Sequence, residues 1–449
     1  MSPSSSPFLP YETHGPLVPV VRVTDPSVPA IHRFYDTSPI SPSGNLLAVT
    51  ELATDDRLPA PDDVAHVVVL DLRDGRRLFT AATTAWDTQV GAHAQWGASD
   101  RQLFFNVRDG IDEAARAVVA DPTTGSQRTL HGAVTMASPD GTVLLAPDLE
   151  KLSLVQAGYG VRPPDPEVYR HRGFPADDGL FATSVASGGS RLLLSHEELA
   201  RRLPNAFGDV NPEMGGLYGF HVKWHSRGDR ILYLVRWLDE KRVGGSTRNW
   251  LVSLAPDGDD VRLVLDWRRW RGGHHPTWFP SAHDVVMNLG FDPVPWPVLR
   301  AWRFGARGVR RLGIRLPIPG RLHFARIPGD GGAPSMLAAR ARGSGHPSLD
   351  PSERFLITDA YPDEAVAAGD GTVPLRLVEL ATGEEHQLVR IRTQPTFRGP
   401  RGEWRVDPHP AWSRDGRYLA FNACPDGVRG VFIAEVGPFL DGLRAEEAP

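Results

Sequence analysis

Short apolar runs alternate with polar turns along the whole chain, and one pattern recurs: turn residues rich in Ser, Asp or Gly, then four or five apolar residues. It reads ISPSGNLLAVTE from Ile40, GASDRQLFFNV from Gly97, ASPDGTVLLAPD from Ala137, HSRGDRILYLV from His225, FPSAHDVVMNL from Phe279, DPSERFLITDA from Asp350 and SRDGRYLAFNA from Ser413. Each copy predicts the tight turn between the first two strands of a repeated unit. The second strand is too apolar to be half exposed, so it must be buried between neighbouring units. Further strands follow as hairpins closed by DG or TG turns, as in HVVVLDLRDGRRLF from His66, RNWLVSLAPDGDDVRLVL from Arg248 and LRLVELATGEEHQLV from Leu375. Four-stranded blades repeated around an axis remove the free edges that so many short antiparallel strands would otherwise leave. The expected fold class is all-β, a seven-bladed β-propeller, with residues 1–449 as one domain.

Two segments depart from the repeat. The last copy ends with VFIAEV and lacks an outermost strand, which PLVPVVRVTD near the N-terminus is placed to supply. The stretch 163–212, rich in Pro, Arg and charge, reads as an insertion on one face. Within it, SGGSRLLLSHEELARRL fits either a strand pair or a short helix, which keeps an eight-bladed count as the alternative. Residues 1–16 read as a flexible N-terminus.

Composition narrows the function classes. The 45 glycines and 41 prolines describe a chain that turns often. A formal charge of −5 with both signs interspersed excludes the basic face that a nucleic-acid partner requires. The single cysteine, Cys424, rules out an internal disulfide and fits a reducing compartment. With no secretory pattern at the N-terminus and no long apolar run, no membrane association is expected, and a cytoplasmic location is.

Aligning the copies on their turns exposes a second pattern just upstream. Five copies carry a histidine at one register: His93 in HAQW, His221 in HVKW, His275 in HPTW, His346 in HPSL and His409 in HPAW. Equivalent positions in a rotational repeat lie on one ring, so these imidazoles should converge near one mouth of the channel. One histidine per blade can be a structural hydrogen-bonding group. Five buried without partners are costly, unless a metal or an anionic ligand holds the centre. Asp407 lies two residues before His409, on the same face of a strand, and such nitrogen and oxygen donors suit Mn²⁺, Fe²⁺ or Zn²⁺. Asp407 also precedes a proline and is equally a turn former. His274 should face away from its neighbour His275. Trp224, Trp278 and Trp412, each three residues after a ring histidine, read as packing.

With these residues in place, the chain resembles the oligogalacturonate lyases, seven-bladed propellers that cleave short uronic-acid oligosaccharides by β-elimination. The likeness runs from HRFYDTSPISPSGNLL at His32 to DPHPAWSRDGRYLAFNACPDGVRGVFIAEV near the end, and is weakest over 163–212. It implies His275 as the catalytic base, Arg248 as the arginine facing the substrate carboxylate, and His346 and His409 as metal ligands. Asp407 stands where the family has a third metal-binding histidine, and Trp404 near a glutamine ligand. Aspartate can coordinate and tryptophan cannot, so either the metal keeps fewer protein ligands or His93 or His221 completes the set. His93 and His221 are otherwise expected to touch substrate. The implied cofactor is a divalent metal, Mn²⁺ first, and the implied partner is a uronate-containing oligosaccharide.

The chemistry suits these residue types. Removing the proton beside a carboxylate leaves an enolate-like dianion, which a cation and an arginine stabilise where the charge develops. A neutral histidine is basic enough to take that proton near neutral pH. The alternative is a non-catalytic propeller resembling TolB, which binds protein or peptide partners and uses the same turns. Hydrolysis ranks below both, because no second acid has a positional claim to match that of Asp407.

Overall fold

All seven turn motifs close in the same way. The backbone N–H of Ser41, Gly97, Ser138, His225, Phe279, Asp350 and Ser413 each donates to the carbonyl five residues on, at 2.7–2.9 Å. Each of these bonds pins a short first strand against a second strand that is buried almost throughout, such as Leu103, Phe104 and Phe105 at 0% exposure. The computed structural model describes residues 7–110, 113–239, 247–291, 305 and 321–446.

Six four-stranded antiparallel sheets follow one another along the chain, and a seventh closes the ring. Ala411–Trp412, Tyr418–Ala423 and Gly430–Glu435 form the inner strands of the last blade, and Val20–Arg22 adds the fourth, pairing Val21 with Ile433. The fold is a seven-bladed β-propeller, closed by the N-terminal strand as expected. Leu9–Pro10, inside the stretch read as flexible, adds a fifth strand beyond Val20–Arg22. Tyr11 next to it donates its hydroxyl to the Arg390 carbonyl at 2.8 Å.

The irregular stretch is not an eighth blade. Gly179–Ser184 and Ser190–Ser195 are the third and fourth strands of blade 3, and the helix His196–Arg202 follows directly. SGGSRLLLSHEELARRL is thus strand and then helix. The inserted material lies earlier, at 147–178, between the second and third strands of the blade. It carries the helix Leu149–Val155, whose first turn is capped by the Asp148 carboxylate accepting from the Lys151 N–H at 2.9 Å.

Trp224, Trp278 and Trp412 are buried and pack as expected, Trp224 in the apolar core with its indole N–H unpartnered among the described residues. The indole N–H of Trp96, Trp278 and Trp412 donates to Pro39, Lys223 and Ser348 carbonyls at 2.7, 3.2 and 3.3 Å, tying each blade to its predecessor. No helix among the described residues is long and apolar enough to cross a membrane.

Candidate functional site

The turn bonds fix the register of the five histidines: His93, His221, His275, His346 and His409 each lie four residues before a closing N–H. Blades 1 and 3 carry Thr37 and Val134 at this position. His93, His275 and His409 are held at φ of 58°, 58° and 50°, in the left-handed region, and in blade 6 Gly345 just ahead of His346 takes φ 50°. This kink breaks strand alternation. His274 therefore does not face away from His275, and their Nδ1 atoms lie 2.7 Å apart.

The centre of the ring is filled by protein. In blade 1 the segment 32–37 enters the channel and places Phe34 and Tyr35 there, 2% and 1% exposed. The Phe34 ring centroid lies 4.6 Å from that of His409, 5.1 Å from His221 and 5.8 Å from His346. Tyr35 lies 5.3 Å from His346 and 6.0 Å from His275. An aromatic pair thus occupies the position where an ion or anionic ligand was expected. Burial against it holds His221, His275 and His409 well below the usual imidazole range, so their rings are neutral.

Beside the plug sits a buried charge triad. Asp36 pairs with Arg33 at 2.7 Å and with Lys223, whose ammonium lies 4.3 Å from the Tyr35 centroid. Burial raises the Asp36 carboxyl, but the two cations hold it well below its ordinary value, and burial brings Lys223 down to about 8. His93 and His221 line a small cavity with Arg33, Asp36 and Tyr159. His93 lies 3.7 Å from Asp87, a carboxyl that burial pushes up to about 7.

Blades 5 to 7 bring the remaining ring members together. One donor atom each from His346, Asp407 and His409 lies within 4.8 Å of the others, all three residues being buried. Asp359, at the end of the second strand of blade 6, organises them. Its carboxylate accepts the His346 N–H at 2.7 Å, the His346 Nδ1–H at 2.9 Å and the His409 N–H at 3.1 Å. Only glycine fits at 345, since a Cβ there would come within 2.0 Å of Asp359 Oδ1. With Nδ1 protonated, His346 Nε2 carries a bare lone pair, and it has no hydrogen-bond partner; neither has either ring nitrogen of His409. Asp407 accepts from Arg405 Nε at 2.8 Å. Buried, unpartnered imidazole nitrogens beside a carboxylate, one of them oriented by an acid behind it, fit a divalent cation.

Trp404 lies outside this set. It is fully buried, donates to the Arg57 carbonyl and carries the Arg429 guanidinium 4.7 Å over its ring. His93 and His221 do not complete the set either. They face the cavity beside the plug.

His275 adjoins the candidate metal centre, its ring 3.8 Å from that of His346. Its Nδ1–H points at the Gly345 carbonyl, 2.7 Å away, and at His274 Nδ1, which also accepts from Asn288. Nε2 is left as the acceptor, 3.3 Å from the Tyr361 hydroxyl.

Arg248 is not brought to this cluster by any contact among the described residues. Its guanidinium sits 4.8 Å over the Trp267 ring and 3.8 Å from Asp209, opposite Trp237. Another arginine lies beside the ring, close enough for its charge to help lower His221 after burial and Lys223. Arg236 lies 3.6 Å over the Phe220 ring and donates to Asn249 at 3.0 Å and Gln156 at 2.9 Å, with no acidic partner among the described residues; burial lowers it to about 9. Over the mouth runs the inserted connection, whose Tyr159 packs 5.6 Å from His221 and accepts from Arg405 at 3.5 Å.

Sequence reasoning missed Asp359, Tyr361, Arg405, Arg236 and the Phe34–Tyr35 plug. Two signals were available: HRFYD, an aromatic pair between charges where other blades begin a strand, and the alternation of Arg405 and Asp407 on one face.

No family model and no curated protein sequence matches the chain. Among solved structures it is similar to an oligogalacturonate lyase in complex with manganese, with a TM-score of 0.58 and 15% identity over 95% of this chain and 96% of that one. It is also similar to the oligogalacturonate lyase of Vibrio parahaemolyticus, with a TM-score of 0.56 and 12% identity over 96% of both chains. TolB of Acinetobacter baumannii matches at a TM-score of 0.37 and 10% identity, over 85% of this chain and 78% of that one. The two lyase structures share the seven-bladed fold with this chain.

Proposed function

We propose that this propeller is a metal-assisted lyase that cleaves short uronate-containing oligosaccharides by β-elimination. The observation that carries the reading is the convergence of unpartnered His346 and His409 nitrogens with the Asp407 carboxylate, beside an oriented His275. It is supported by the similarity in fold to oligogalacturonate lyases, one of them a manganese complex.

His346, His409 and Asp407 would hold the cation, Mn²⁺ by preference for mixed nitrogen and oxygen donors. Bound there, a divalent cation supplies Lewis-acid stabilisation of charge developing on the substrate carboxylate. His275 Nε2 accepts the proton next to that carboxylate, because its Nδ1–H is committed to the Gly345 carbonyl and fixes the tautomer. Arg236 is better placed than Arg248 to face the uronate. It is a partly buried guanidinium with only neutral hydrogen-bond partners among the described residues, and a carboxylate would supply the missing counter-charge. His221 and His93, on the cavity beside the plug, are assigned to substrate contact.

The test is to incubate the protein and Mn²⁺ with oligogalacturonate, glucuronan and glycosaminoglycan fragments, following the ultraviolet absorbance of the unsaturated uronate product. A rise with at least one substrate is expected. No rise with any of them would leave the non-catalytic binding role as the better reading.

A further inference from the structure

Away from the ring, a second group of donors meets where the inserted connection rejoins blade 3. His171 and Asp178 come from the connection and His196 from the start of the helix His196–Arg202. One donor atom from each lies within 4.8 Å of the others. His171 Nδ1 is 3.8 Å, and His196 Nδ1 3.7 Å, from the same oxygen, Asp178 Oδ2.

The tautomer of His171 is set from outside the group. His171 Nε2 lies 2.6 Å from the Leu217 carbonyl, which can only accept, so Nε2 carries the proton and Nδ1 the lone pair. His196 Nε2 meets the Tyr233 hydroxyl at 3.3 Å. Both Nδ1 atoms are buried without a hydrogen-bond partner, and His196 is 0% exposed. The Asp178 carboxylate is held by the Gly179 N–H at 2.8 Å and by Lys151 Nζ at 3.1 Å from Oδ2. Lys151 brings one positive charge to Asp178 Oδ2, yet neither Nδ1, at 3.8 and 3.7 Å from that oxygen, is hydrogen-bonded to it, so hydrogen bonding within the group does not explain the arrangement.

We infer that His171, Asp178 and His196 form a second divalent-cation site, of the two-histidine, one-carboxylate type that suits zinc. Zinc bonds of roughly 2.0–2.2 Å in a tetrahedron place donors about 3.3–3.6 Å apart, so each Nδ1 closes on Asp178 Oδ2 by a few tenths of an ångström, with the two Nδ1 atoms within 4.8 Å of each other. The proton-bearing Nε2 of His171 on a backbone carbonyl is the outer contact that zinc-ligating histidines make. The site joins three pieces: the connection that carries Tyr159 over the channel mouth, the helix after blade 3, and, through Leu217 and Tyr233, the inner strands of blade 4. A bound cation therefore anchors the cover of the mouth to the scaffold. This inference does not depend on the lyase reading, since none of its residues belongs to the ring.

The experiment titrates Co²⁺, a visible-absorbing stand-in for zinc, into chelator-treated full-length protein and its variants. His171→Gln and His196→Gln should each lose one bound equivalent relative to wild type, whatever number wild type binds, and should lose the associated visible band. His409→Asn should keep that band. In wild type, Zn²⁺ should slow proteolysis within 147–178, and in His171→Gln it should not. Circular dichroism identifies folded variants, and His171, the less buried of the two histidines, provides the variant expected to fold. If folded His171→Gln binds as much Co²⁺ as wild type, the site does not exist.

Discussion

The imidazoles of His275 and His346 stack with centroids 3.8 Å apart and planes 28° from parallel. Two rings this close cannot both be cationic, and His346 is among the influences that depress His275, after burial itself. The stack therefore couples the candidate base to the candidate metal ligand. A proton taken up by His275 Nε2 must leave again promptly, and the Tyr361 hydroxyl at 3.3 Å is within reach to pass it on.

Replacing His275 separates chemistry from architecture, provided the backbone is respected. The residue sits at φ 58°, where asparagine is tolerated and alanine is strained by about 1 kcal/mol or more. His275→Asn should lose about 10²- to 10⁴-fold in elimination rate, the usual contribution of a general base. Its melting temperature should remain near that of wild type, while His275→Ala loses stability as well. Initial rates and thermal unfolding of the two variants check this.

How much of this was legible in the chain depends on what carried the signal. Blade number, the closing N-terminal strand and the histidine register follow from local repetition, which the turn bonds at Gly97 or Ser413 simply reproduce. The filling of the channel was not legible, because Phe34 enters it from an irregular segment between the first strand of blade 1, Ala30–Ile31, and the turn at Ser41. Asp359 was hidden for a different reason. It joins His346 of its own blade to His409 of the next, and no spacing in the sequence encodes that contact across the blade boundary. The contacts of Arg248 with Trp267 and Asp209 were likewise not legible, because they join residues that no repeat places together.

Asp359 offers a test of the metal set that leaves all three donors in place. Its carboxylate accepts from three N–H groups, whereas an amide has a single acceptor oxygen and would set its own N–H₂ against His346 Nδ1–H. In Asp359→Asn the imidazole should shift its proton to Nε2, the atom meant for the cation. Mn²⁺ affinity should fall about 10- to 100-fold, as for other partners behind a metal-bound histidine. Isothermal titration with Mn²⁺ on wild type and variant gives the ratio; equal affinities would remove Asp359 from the site.

The buried imidazoles also set a direction for stability against pH. Burial lowers His32 and His274 to about 4 and His93 and His196 to about 3, and holds His221, His275 and His409 well below 6.5. Below pH 6.5 the unfolded chain takes up protons that the folded chain refuses, so these groups lower stability as pH falls toward 4. Asp87, Glu150 and Glu364, raised to about 7 by burial, act in the opposite sense, because they keep protons that the unfolded chain releases. The histidines outnumber them, so the melting temperature should be lower at about pH 5 than at about pH 7. A flat or reversed profile would mean that the imidazoles are charged in the folded state.

The last prediction concerns the plug. If Phe34 is what lets the neutral imidazoles of His221 and His409 share the centre of the ring, its removal should have two separable effects. Phe34→Ala leaves a cavity among His221, His346 and His409 and should cost about 3–5 kcal/mol, the usual range for a buried phenylalanine. The cavity is lined by ring nitrogens without partners, so it is polar enough to admit water. Water there relieves the burial that depresses His409 and His221, and their titration should move up toward 6.5. Denaturant unfolding measures the first effect and histidine NMR titration the second. A stability loss without any upward movement of the imidazoles would mean that the centre collapses dry, and that the plug supplies packing alone.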